Sequence, residues 1–140
     1  MTASARRPAA ALWQRWRTRL RRLERERADE HVAELTLVRA VLVRAAVPGV
    51  GPVEAVHRAA GEDPVPCRQA LEYLWHVLGG EPDGPVRWNV SPAVHAIHLH
   101  DLARWEERAE GRDAAELLGT ALERVDADIA RLAAERPEPA

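Results

Sequence analysis

From Ala9 to Leu23 the apolar residues recur with the period of a helix. At about 100° per residue, Ala9, Leu12, Trp13, Trp16, Leu20 and Leu23 fall within one sector of about 100°. Arg15, Arg17, Arg19, Arg21, Arg22 and Arg25 fall outside it. The stripe breaks at Arg27, Glu30 and Glu34, where the helix either runs on as a solvated rod or bends. Leu35, Val38, Val41, Leu42 and Ala45 resume it, and Pro48-Gly49 ends it. Pro52 to Ala60 predicts a second, short helix with Gly61 as its C-terminal cap. Pro64 to Leu78 predicts a third, with Asp63 as N-cap and Cys67, Ala70, Leu71, Leu74, Val77 and Leu78 inward. Glu81-Pro82-Asp83-Gly84 reads as a turn, and Val86, Trp88 and Val90 alternate with Arg87 and Asn89 as in a half-buried strand. Ser91-Pro92 opens a helix reaching about Ala109. The last helix, about Asp113 to Ala134, carries Leu118, Leu122, Val125, Ile129 and Leu132 at spacings of four, three, four and three. That narrow seam predicts a helix–helix pair, read as a dimerisation surface, with packing inside the same bundle as the alternative.

The 140 residues suit one domain. It divides into a basic amphipathic helix (9–31), a central unit (32–90) and a C-terminal helical hairpin (91–134). Alanine, leucine and valine supply most of the apolar mass and there is no phenylalanine, a composition suited to closely packed helices. The fold class expected is therefore mainly α. All twenty basic residues are arginine, read as the coding bias of a GC-rich bacterial genome. One cysteine, Cys67, excludes an internal disulfide and fits a reducing cytoplasm. No apolar run approaches the roughly 18 residues of a membrane span, and no secretory apolar region follows Arg6-Arg7. A cytoplasmic location is expected.

The net charge of −2 conceals an asymmetry. Residues 1–27 hold nine arginines against two glutamates, and residues 28–140 hold eleven arginines against twenty acids. A segment of +7 thus precedes a body of −9.

The run from Gly51 to Val90 (helix, Gly turn, amphipathic helix, Gly/Pro turn, alternating strand) resembles winged helix-turn-helix regulators. The layout is closest to the MarR type, in which dimerising helices flank the winged unit. The match covers Val32 to Ile97. It rests on Val56, Gly61 at the turn, Cys67 and Ala70 inward on the second helix, and Asp83-Gly84 with Val86-Arg87-Trp88 as a short β wing. His57 and Glu62 depart from the small and apolar residues usual around such a turn. The resemblance implies a dimeric transcriptional regulator with helix 64–78 in the major groove of double-stranded DNA. It would place Arg68, Gln69 and Tyr73 at base edges, with Glu72 and His76 also outward, and Arg87 on the wing. Arg15, Arg17, Arg19 and Arg22 would lie along phosphates.

A second reading needs no nucleic acid. Here the chain is a helical adaptor that binds a protein partner through Trp13, Trp16 and Leu20; its acidic body and nearly neutral third helix favour that reading.

Other chemistry is thinly represented. His95 and His98, one turn apart near Asp101, have the spacing of metal ligands, but no cysteine joins them; no metal or other cofactor is expected. Gly49-Val50-Gly51 lacks the third glycine of a phosphate loop and follows a helix, no nucleophile elbow occurs, and Cys67 is expected inward. The chain is read as a non-enzyme.

Overall fold

A computed structural model of the chain describes residues 2–79, 86, 87 and 89–137, with the backbone alone for 2–8. Five helices follow one another: α1 (Thr2–Arg44), α2 (Pro52–Ala60), α3 (Pro64–Leu78), α4 (Pro92–Glu106) and α5 (Gly111–Glu135).

The first two apolar stretches form one helix. Between Ala9 and Val47 the chain has neither glycine nor proline, and residues 21–34 are chiefly arginine, glutamate and alanine, all good helix formers. The broken stripe at Arg27, Glu30 and Glu34 therefore marks an exposed stretch within one continuous helix. At about 1.5 Å per residue, α1 is roughly 65 Å long. It begins at Thr2, ahead of Pro8, the expected first-turn residue.

The core lies on the C-terminal half of α1. Leu35, Val38, Val41, Leu42 and Ala45 are buried there, one face at the expected spacing. α5 runs antiparallel to this half: Arg39 pairs with Asp126 at 2.6 Å, and nearer the start of α1 Asp29 pairs with Arg136 at 3.0 Å.

α3 threads between α1, α2, α4 and α5, touching all four. Burial therefore runs round its whole circumference, from Pro66 and Cys67 through Gln69, Ala70, Leu71, Glu72, Tyr73 and Leu74 to His76. Val77 and Leu78, expected inward, pack half-buried at its end.

The caps fall close to expectation. Ser91 Oγ accepts the Val94 N–H at 3.3 Å and starts α4. Asp63 holds the N-cap position of α3 but makes no side-chain cap bond. α5 starts at Gly111, slightly earlier than expected, because Glu110 and Asp113 form a reciprocal capping box. Gly61 closes α2 at φ +62°, ψ −126°, a conformation essentially confined to glycine. Gly61→Ala is expected to cost about 1–3 kcal/mol in a denaturant melt; an unchanged midpoint would count against the turn geometry.

The expected β wing is not formed among the described residues. Among the described residues there is no strand, and the mainly α reading narrows to helices alone. Leu78, which a first wing strand would need, is the last residue of α3. Val86 is buried in the core, and Arg87, Asn89 and Val90 form no ladder. The Glu81–Gly84 turn and Trp88 lie outside the described residues.

Candidate functional site

Helix 64–78 does not offer the outward face that base reading requires. Gln69 is 8% exposed, and Tyr73 is fully buried with its hydroxyl donating to Asp128 Oδ2 at 2.8 Å. Glu72 and His76, also expected outward, are buried too. Arg68 is half-buried and donates to the Val90 carbonyl at 3.0 Å, tying the segment before α4 onto α3. Arg87 is exposed. The cause is topological: a recognition helix leaves one face bare, whereas α3 is wrapped by four neighbours.

The proposed dimerisation seam is likewise occupied within the chain. Leu118 and Val125 are buried, and Leu122, Ile129 and Leu132 pack partly buried against the same core. α5 makes its most extensive contact with α1, which covers much of this stripe, while Leu118 and Leu122 also line an open groove beside α1.

A buried polar layer joins α3 to α4. The Glu72 carboxylate, at the centre, faces His98 Nδ1 at 2.9 Å from Oε1 and 2.5 Å from Oε2. His95 Nδ1 stands 3.4 Å from Oε1. The His98 ring stacks on Trp75, centroids 3.6 Å apart and planes 13° from parallel, and Trp75 Nε1 donates to Asp101 at 3.2 Å. The His95/His98 spacing thus serves a carboxylate that sequence reasoning had placed in solvent. Among the described residues, no group of three or more histidines, cysteines or acids is placed to hold a metal ion.

Cys67 Sγ lies 3.4 Å from His57 Nδ1, a pairing that can activate a thiol. Burial acts the other way and pushes the Cys67 thiol above its ordinary value, which disfavours a resting thiolate. Glu106 is also raised, chiefly by burial and further by Glu54, while the Val53 N–H it accepts opposes the rise. This carboxylate caps α2, whose N-cap Gly51 has no side chain to do so. A Cβ at Gly51 would fall 1.5 Å from Glu106 Oε1, so the absent side chain is what admits the carboxylate.

What remains without cover is the start of α1. Every side chain from Ala9 to Glu24 is exposed. Leu12, Trp13, Trp16, Leu20 and Leu23 stand between 43% and 62% exposed. They share one face, about 20 Å long from Ala9 to Leu23, and Arg136, just past the end of α5, reaches α1 at Asp29. Arg15, Arg17, Arg19 and Arg22 are exposed along its flanks. Such a helix in water loses the apolar packing that normally supplies most helical stability. Among the described residues, no helix is long and apolar enough to cross a membrane.

Comparison with known protein families, curated proteins and solved structures returns no match for this chain.

Proposed function

We propose that this chain is a non-enzymatic helical adaptor. Its five-helix bundle holds a basic arm, the first half of α1, and the arm binds a protein partner through Trp13, Trp16 and Leu20. One observation carries this reading: the two tryptophans and three leucines of the arm share a face that nothing in the described chain covers. Covering each would contribute about 1.5–3 kcal/mol of transfer free energy, a strong drive toward an apolar surface. The flanking arginines favour a partner with an acidic rim.

A DNA-binding regulator draws less support. The base-reading residues it needs on α3 are buried or engaged. What remains for it is the arginine array of the arm, which suits phosphates but whose neighbouring face is apolar.

The test places a photo-crosslinking amino acid at Trp16 of the full chain in cells. Protein adducts are expected, and Leu12→Glu with Leu20→Glu should abolish them. An absence of protein adducts would overturn the adaptor reading. Labelled duplex DNA, titrated by fluorescence anisotropy, decides the alternative. Little binding is expected at physiological salt. Tight binding that falls steeply with salt and is lost in Arg15→Ala with Arg19→Ala and Arg22→Ala would favour the regulator.

A further inference from the structure

The same chain carries a surface suited to its own arm. At the far end of α1 an apolar groove of about 860 Å³ opens between α1 and α5. Val43 and Val47 stand on one side, Ala115, Leu118, Gly119 and Leu122 on the other. Val43 and Val47 are 47% and 48% exposed, so the groove presents apolar surface to water. Ala115 and Gly119 lie one turn apart on α5, and a Cβ at Gly119 would meet nothing within 4 Å. Small residues in a groove leave room for large knobs and a close helix approach.

Charge points to the same occupant. Among the described residues, Glu106, which also caps α2, and Glu110 are the only charged residues lining the groove. The arm, by contrast, holds seven arginines and two glutamates between Arg15 and Arg27. Two arms packed stripe to stripe in parallel would set arginine beside arginine, whereas an arm in the groove meets acids. The arm cannot reach its own groove. Trp16 and Val43 sit on one continuous helix, roughly 40 Å apart along its axis.

We propose that the Trp13/Trp16 stripe of one copy docks into the Val43/Gly119 groove of a second copy. The proposal rests on the arm being a protein-binding element and names its partner. It makes self-association heterologous, arm to groove, with either reciprocal exchange between two copies or head-to-tail addition.

The experiment uses sedimentation equilibrium on the full chain at several concentrations. It compares the wild type with an arm variant, Trp13→Glu with Trp16→Glu, and a groove variant, Gly119→Arg. Both changes lie where nothing is packed, and circular dichroism checks that each variant keeps its helices. The wild type is expected to self-associate, and each variant alone to do so roughly a hundredfold more weakly. A mixture of the two variants should recover a complex, because one retains its groove and the other its arm. A wild type monomeric throughout would overturn the proposal. So would assembly that survives Gly119→Arg, or a mixture that fails to associate. A monomer that still crosslinks to a different protein through position 16 would sink the self-docking alone and leave the adaptor reading standing.

Discussion

Replacing Asp128 by alanine is expected to destabilise the fold by about 3–5 kcal/mol, the usual cost of leaving one partner of a buried charged network unmatched. Asp128 is 3% exposed on α5 and accepts the Tyr73 hydroxyl at 2.8 Å. Arg124 and Arg131 flank the same carboxylate at 3.5 and 3.7 Å. Its removal leaves a fully buried phenol without an acceptor and withdraws the anion from both guanidinium groups. Tyr73→Phe should cost less, about 1.5–3 kcal/mol, since the carboxylate keeps its arginines. Urea melts of the two single variants and the double variant measure the coupling. A loss below about 1 kcal/mol for Asp128→Ala would show that the network contributes little.

The same pair sets an alkaline limit. Burial, the hydrogen bond to Asp128 and its negative charge all push the Tyr73 hydroxyl far above its ordinary value, and Arg124 and Arg131 oppose the shift only in part. The unfolded chain loses this proton near the ordinary tyrosine value while the folded chain keeps it. The stabilising contribution is therefore complete below that value and declines as the pH rises above it. Tyr73 is the chain's single tyrosine, so tyrosinate absorbance reports it alone. The absorbance is expected to grow together with loss of helicity, not before it. In Tyr73→Phe this part of the alkaline decline should vanish. Tyrosinate formation in a fully helical protein would contradict the burial argument.

Glu72→Leu is expected to cost about 3 kcal/mol or more. The substitution removes the acceptor facing His98 and the carboxylate beside His95 while retaining bulk in the core. Adding His98→Leu should restore part of the loss, because replacing both partners by apolar groups is far cheaper than orphaning one. The recovery cannot be complete, since the Trp75 stack on His98 is lost as well. A denaturant cycle of the two single variants and the double variant checks this. If the double variant is no more stable than Glu72→Leu, the layer does not act as a pair.

Much of the helical framework was legible from spacing. The inward faces of α1 at Leu35–Ala45 and of α3 at Cys67, Ala70, Leu71 and Leu74 follow from the helical period, and Ser91 and Gly61 marked helix ends through capping chemistry. The burial of Glu72 and Tyr73 was not legible, because periodicity describes one face and assumes the opposite one is wet. One clue was present: His95 and His98, a turn apart on an otherwise weakly apolar helix, need a polar partner, and a carboxylate on α3 supplies it. The expected wing failed because alternation at Val86 and Val90 shows only that one residue in two is apolar. Val86 meets that condition by its own buried side chain, with no partner strand among the described residues.

The sequence by itself determined where helices form, the split between a basic N-terminal segment and an acidic body, and the apolar face of the arm. These are local properties of propensity, charge and spacing. Tertiary structure alone decided which apolar faces are used up within the chain. The seam on α5 and the face of Leu35–Ala45 meet each other in the bundle, while the equally regular stripe at Leu12–Leu23 lies beyond the end of α5 and meets water. Two stripes of the same pattern thus have opposite fates, because burial depends on what the rest of the chain brings alongside, and periodicity carries no record of that.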